Sequence, residues 1–221
     1  TPTPTHTPTP PPPTCGYGSA APCQLWLTTW AAQVVSSRPT IANGQLFMGH
    51  SSHVDSVNAW DGALTKSGEG LWGNVRSTPF VKDGFVYVST VGGAVYKLEA
   101  TELAVQWSTD LEEEIYSSPF VASGHVYVGS TNGKVYALRE SDGSKLWRQT
   151  SYLSGAINSN ITLSLEQLPA TLYVGSLGNA LVKLNLDTGS VIWQVPLGAD
   201  IYSTPVIYGG NVYITAGDTL Y

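Results

Sequence analysis

The feature that most constrains this chain is that it repeats itself. "YVGSTNGKVYALRESDGSKLW", Tyr127 to Trp147, has counterparts in "YVSTVGGAVYKLEATELAVQW", Tyr87 to Trp107, and in "YVGSLGNALVKLNLDTGSVIW", Tyr173 to Trp193. Each stretch opens on Tyr-Val, passes a glycine turn, carries a leucine about eleven residues on and ends on Trp. A unit of this length cannot bury both its faces alone, so its copies must stack into an array.

A second marker gives the period. Strand-entry motifs occur at Ser36 ("SSRPTI"), Arg76 ("RSTPFV"), Tyr116 ("YSSPFV") and Tyr202 ("YSTPVI"). Their prolines, Pro39, Pro79, Pro119 and Pro205, are spaced by 40, 40 and 86 residues. The wide gap holds two units, and its missing marker is "INSNIT", with Ile161 in place of proline. Trp30, Trp72, Trp107, Trp147 and Trp193 recur at spacings of 42, 35, 40 and 46.

Within one unit the local signals predict four short strands. In the third unit these are Ser117–Ala122, His125–Ser130, Lys134–Arg139 and Lys145–Gln149, separated by turns at Ser123-Gly124, Asn132-Gly133 and Ser141-Asp142-Gly143. Asn-Gly is a strong two-residue hairpin signal because both positions tolerate positive φ. Alternation puts Val126 and Val128 on one face and Tyr127 on the other. The composition agrees: only 12% of residues are charged, while Tyr, Trp, Thr, Val and Gly are plentiful, as tight-turned all-β proteins require. The expectation is an all-β fold, a β-propeller of four-stranded antiparallel blades. The 3.6-residue periodicity of helical solenoids is missing from the sequence.

These residues resemble the PQQ-like β-propeller repeat, named for the pyrroloquinoline quinone dehydrogenases. The resemblance rests on Tyr-Val-Gly, the glycine turn, Tyr-Ala-Leu, and a turn leading to Leu-Trp, as in "LDTGSVIW" from Leu186 to Trp193. It covers roughly residues 35–221, dense in units two to four and looser in the first, where "LFMGHSSHVDSVNAWDGALTKSGEGLW" carries an insertion. It implies that the Trp closing each unit docks onto the neighbouring blade, a role carried to Trp72, Trp107, Trp147, Trp193 and Trp30. The hairpin glycines Gly84, Gly124 and Gly133 read as backbone requirements.

Three segments follow: a Thr/Pro-rich extended linker (1–14), an N-terminal segment (15–34), and the blades (35–221). Residues 1–14, "TPTPTHTPTPPPPT", hold seven of the fourteen prolines and favour polyproline II, suited to a spacer. Cys15 and Cys23 are disulfide candidates. Gln24–Ala32 reads as a spare fourth strand. The unit after Tyr202 reaches at most its third strand at Tyr221, giving about four full blades and a partial fifth. Either Gln24–Ala32 closes a five-bladed ring, or the chain is a fragment of a seven- or eight-bladed propeller; the second is the working expectation. A start at Thr1 fits a removed leader or a longer parent chain.

For chemistry, the resemblance raises one enzymatic alternative, a quinoprotein dehydrogenase with PQQ and calcium on the propeller axis. That site in the family needs two adjacent cysteines and an Asp base; Cys15 and Cys23 are eight residues apart and outside the blades, and no Asp or Glu cluster fits the calcium or base positions. No cofactor is expected on the main reading. His50, His53 and Asp55 in "HSSHVD" are weak metal candidates, placed in the loop after the second strand of unit one. Asp110 to Glu114, "DLEEE", reads as an exposed acidic connector, and Asn160-Ile161-Thr162 as a glycosylation sequon meaningful only in a secretory setting. A net charge of −6 argues against a nucleic-acid groove, and no apolar run approaches the roughly 18 residues of a spanning helix. The functional expectation is an extracytoplasmic, non-catalytic scaffold binding a protein or cell-envelope component. A quinoprotein fragment and a carbohydrate-binding propeller of a secreted protein are the alternatives.

Overall fold

The computed structural model describes residues 37–148, 153–165 and 170–221. The Thr/Pro segment, Cys15, Cys23, Trp30 and the candidate closing strand Gln24–Ala32 lie outside the described residues.

Four sheets of four antiparallel strands follow one another along the chain, each a simple meander. The first is β1 (Thr40–Ala42), β2 (Gln45–His50), β3 (His53–Asn58) and β4 (Leu64–Gly68). The second is β5 (Phe80–Lys82), β6 (Phe85–Ser89), β7 (Ala94–Glu99) and β8 (Val105–Asp110). The third is β9 (Phe120–Ala122), β10 (His125–Gly129), β11 (Val135–Arg139) and β12 (Lys145–Arg148). The fourth is β13 (Thr162–Ser164), β14 (Thr171–Gly175), β15 (Ala180–Asn185) and β16 (Val191–Pro196). A fifth unit pairs β17 (Val206–Tyr208) with β18 (Asn211–Tyr213), and β19 (Thr215–Ala216) with β20 (Thr219–Leu220). The described residues contain no helix, and so none that could cross a membrane.

The turns obey the local chemistry. Gly84, Gly124 and Gly133 have φ of 80°, 76° and 77°, the left-handed region that glycine enters without a Cβ penalty. A β-bulge recurs between the third and fourth strands of every complete sheet, at Ser56/Val57, Lys97/Leu98, Ala137/Leu138 and Lys183/Leu184. Such a bulge increases local twist, which lets neighbouring blades fan around an axis.

The core lies between the sheets. Period-two alternation sends Val86, Val88, Tyr96 and Leu98 toward the first blade, where they meet Phe47, Val54, Leu71 and Val75. It sends Tyr87, Val95 and Trp107 the other way, onto Val126, Val128, Tyr136 and Leu138 of the third. Tyr127, Val135 and Ala137 then pack on Leu172, Val174, Val182 and Leu184. Tyr173 and Leu181 pack on Ile214 and Ala216 of the fifth unit. Four clusters fill the four junctions, so each blade depends on its neighbour for burial.

One side chain pins every unit. The hydroxyl of Ser37 donates to the carbonyl of Gly49 and accepts from its N–H, at 2.7 and 2.8 Å. Ser77 does the same at Ser89, Ser117 at Gly129, Ser159 at Gly175 and Ser203 at Thr215. In the four complete blades each clamp ties the entering chain to the end of the second strand, and in the fifth unit to the first residue of β19. The fourth unit, which has Ile161 in place of proline, keeps its serine.

Candidate binding site at the propeller axis

The entry segments line the axis. Along Ile115–Phe120 burial alternates: Ile115, Ser117 and Pro119 turn into the blade, and Tyr116, Ser118 and Phe120 turn away from it. The same parity in each unit stacks three layers around the axis. The outermost holds Arg76, Tyr116, Asn158 and Tyr202. Arg38, Thr78, Ser118, Asn160 and Thr204 form the middle layer. The deepest includes Thr40, Phe80, Phe120 and Thr162. The two outer layers enclose a polar cleft of about 450 Å³. Below it, and sharing the middle layer, is an apolar throat of about 440 Å³.

Hydrogen bonds between blades hold these layers. The Thr78 N–H donates to Ser118 Oγ at 2.9 Å, and the Ser118 N–H to Asn160 Oδ1 at 3.0 Å. Thr40 donates to the carbonyl of Pro79, and Thr162 to that of Pro205. In the throat Phe80 and Phe120 meet edge to face at 5.7 Å. At the mouth the Arg76 guanidinium lies over the Tyr116 ring, 5.6 Å from its centroid. The buried Oδ1 of Asn158 has no hydrogen-bond partner among the described residues.

The mouth shares its face with the hairpins between second and third strands and with the inter-blade connectors, as backbone bonds from Val91 to Asn74, Thr131 to Glu114 and Leu177 to Ala156 show. The opposite face carries the other turns, joined by bonds from Ala59 to Gly44, Ala100 to Gly84 and Glu140 to Gly124.

The tryptophans divide into two groups. Trp107 and Trp147 sit on fourth strands and reach the next blade. Their indole N–H groups donate to the carbonyls of Glu140 and Leu186, both at 3.1 Å. Each ring lies on a turn glycine of that blade. A Cβ at Gly143 would lie 2.6 Å from Cε3 of Trp107, and one at Gly189 would lie 2.4 Å from Cε3 of Trp147. Tyr87 and Tyr127 back the two rings from within their own blades. Trp193 contacts Tyr173 in the same way and packs at the junction with the fifth unit.

Trp72 departs from the docking role carried over to it. It lies beyond β4, on the connector to the second blade, and is 58% exposed. The strand register places Lys66 where Trp107 and Trp147 stand. Lys66 pairs with Glu102 on the next blade's turn. Leu103 occupies the position of Gly143 and Gly189, keeps the same left-handed backbone (φ 55°), and is buried. Trp lies on Gly at two junctions, whereas at the first Leu103 comes up against Gly68 and joins the core with Phe47, Val54 and Leu71, so the blade that lacks the tryptophan is packed by a side chain from its neighbour.

Glu140 concentrates the polar contacts of the second junction. Its carboxylate accepts from Lys82 Nζ at 2.9 Å and Tyr87 Oη at 3.0 Å, and its carbonyl accepts from Lys97 Nζ at 3.1 Å. Burial pushes the Glu140 carboxyl up, but the bonds from Lys82 and Tyr87 outweigh that and leave it below the ordinary carboxylate range. Lys82 is raised in turn by its bond to Glu140. Desolvation, with Glu140 adding to it, drives the Tyr87 phenol well above its usual value.

His50, His53 and Asp55 are not in a loop, contrary to their sequence placement. His50 ends β2, and His53 and Asp55 belong to β3, leaving Ser51 and Ser52 as the turn. His50 Nε2 lies 2.8 Å from Asp55 Oδ2, and Ser67 donates to Asp55 Oδ1 at 2.6 Å. The His50 and His53 rings stack at 5.4 Å. The three residues fasten strands of one blade, and among the described residues no group of three or more His, Cys, Asp or Glu could hold a metal. The acidic connector does not gather into a site either: Asp110 caps the Glu112 N–H, and Glu113 pairs with Lys134.

A sequence profile of the family described as "Outer membrane protein assembly factor BamB" matches residues 24–221. The chain belongs to this family. Among solved structures, BamB from Moraxella catarrhalis superposes with a TM-score of 0.69 at 18% identity, covering 86% of this chain and 61% of the other. The WD40 β-propeller domain of Doa1 gives 0.65 at 13% identity, covering 82% and 60%. A chain of the mitotic checkpoint complex gives 0.73 at 13% identity, covering 86% and 60%. At these identities the likeness establishes the propeller fold alone, and the chain spans about 60% of the length of each of these three chains. No curated protein sequence matches the chain.

Proposed function

We propose that this propeller is a non-catalytic, extracytoplasmic scaffold that binds a protein partner, with the Thr/Pro segment as its spacer. The family description, an outer-membrane protein assembly factor, supports both the location and the class of work. The observation that carries the reading is a contrast among aromatics on one rigid frame. Trp107 and Trp147 are locked between blades, whereas Trp60, Trp72 and Tyr202 stand 87, 58 and 66% exposed. Exposed Trp and Tyr on a preorganised surface are the residue types that dominate protein–protein binding energy.

A photo-crosslinking residue placed singly at Trp60, Trp72 or Tyr202 tests the proposal in the native cell envelope, with the exposed strand position Gln106 as control. One recurrent protein adduct from a single face, absent at Gln106, is expected. Equal labelling at all four positions, or none at any, contradicts the reading.

A further inference from the structure

The axial mouth has a composition at odds with the rest of the chain. The protein carries net charge −6, yet among the described residues Arg38 and Arg76 line this cleft and no carboxylate does. Glu114 and Asp200, on the adjoining connectors, are outside its lining. Around the arginines stand hydroxyls and amides from four blades.

We propose that this mouth binds a carboxylate-bearing peptide segment of the protein partner, a proposal that rests on the scaffold reading above. Arg76 and Arg38 supply planar forks that match a carboxylate bidentately, and stacking on Tyr116 holds the Arg76 fork in place before the ligand arrives. A cleft of about 450 Å³ admits a few residues rather than a folded domain. Occupation of the Tyr116 face by Arg76 also argues against a sugar ring stacked there.

The test uses the whole chain and a fluorescein-labelled Gly-Glu-Gly-Glu-Gly peptide, with Gly-Gln-Gly-Gln-Gly as the neutral match, read by anisotropy at low salt. The glutamate peptide is expected to bind at least about tenfold more tightly. Arg76→Ala and Arg38→Ala are each expected to weaken it by about tenfold or more, and Arg76→Lys, which keeps the charge but loses the fork, by several-fold. Both arginines are exposed, so melting temperatures should not move. Equal binding of the two peptides, or affinity untouched by both alanine variants, overturns the proposal. So does tighter, Arg76-dependent binding of oligogalacturonate, which would assign the mouth to an acidic sugar. If the crosslinked partner labels wild type and the Arg38→Ala/Arg76→Ala variant equally, the mouth proposal falls and the scaffold reading stands. If the peptide binds in an arginine-dependent way while no partner crosslinks from either face, the carboxylate selectivity of the mouth stands, and its assignment to a protein partner falls with the scaffold reading.

Discussion

The junction between the second and third blades can be rebuilt as a copy of the junction between the first and second. Replacing Trp107 by Lys removes a buried aromatic and its bond to the Glu140 carbonyl, a loss of about 3–5 kcal/mol by analogy with large-to-small core changes. Gly143→Leu alone puts a side chain into the Trp107 ring and a non-glycine residue at φ 72°. Overpacking costs about 1–3 kcal/mol and the left-handed backbone about 1 kcal/mol more. Independent effects would sum to roughly 5–9 kcal/mol, enough to unfold many domains of this kind. The first junction argues that they are not independent, because it carries Lys66 and a buried Leu103 at these two positions with the same left-handed backbone, the leucine packed into the junction core. The double variant should recover about 1–3 kcal/mol relative to the sum, since the leucine now enters the space the indole vacated. Urea unfolding of wild type, both single variants and the double variant, followed by far-ultraviolet circular dichroism, gives the coupling. Additivity within about 0.5 kcal/mol would refute the idea that the two positions share one volume.

Three further outcomes follow from the structure. Ser117→Ala leaves the N–H and carbonyl of Gly129 buried without their hydroxyl, and should destabilise by about 2–4 kcal/mol in the same urea assay. Glu140→Gln should cost about 1–2 kcal/mol at pH 7. The Glu140 contribution is present above its unfolded pKa, near the ordinary 4.5, and is lost as pH falls through its depressed folded value, so the gap to wild type should narrow progressively as pH falls below 4.5. Lys82, raised by the same contact, keeps its contribution until pH climbs past 10.5, so alkali up to pH 9 should leave the gap unchanged; melting curves between pH 3 and 9 check both limits. Pyrroloquinoline quinone with calcium should neither shift the melting temperature nor support dye-coupled alcohol oxidation, because a ligand of the native state must stabilise it.

The blades were legible because their signals are local. Alternating Val and Tyr, turn glycines and Asn-Gly steps each act over a few residues, and the repeat multiplies them. The blade pin was missed for a simple reason: proline is a conspicuous marker and serine is not. The signal was present, with Ser37, Ser77, Ser117, Ser159 and Ser203 spaced by 40, 40, 42 and 44, including the unit that lacks its proline. At the first junction, matching Trp to Trp misleads. Trp72 keeps the residue type but not the register, and the Lys66–Leu103 exchange spans two blades, which no single unit reveals. The mouth was hidden for the opposite reason. Its outermost column reads Arg76, Tyr116, Asn158 and Tyr202, the place where the units disagree, and a search for repetition passes over disagreement. A fixed frame with one variable residue per blade is how a repeat array acquires a specific surface.

The most direct test of the scaffold reading is the affinity of the crosslinked partner for purified wild-type protein and for Trp60→Ala and Trp72→Ala, measured by calorimetry beside each variant's melting temperature. Both tryptophans are exposed, so their loss should leave melting within about 0.5 kcal/mol of wild type. The account predicts that the variant on the partner-facing side binds at least about tenfold more weakly while remaining as stable as wild type. Unchanged affinity in both variants would contradict it.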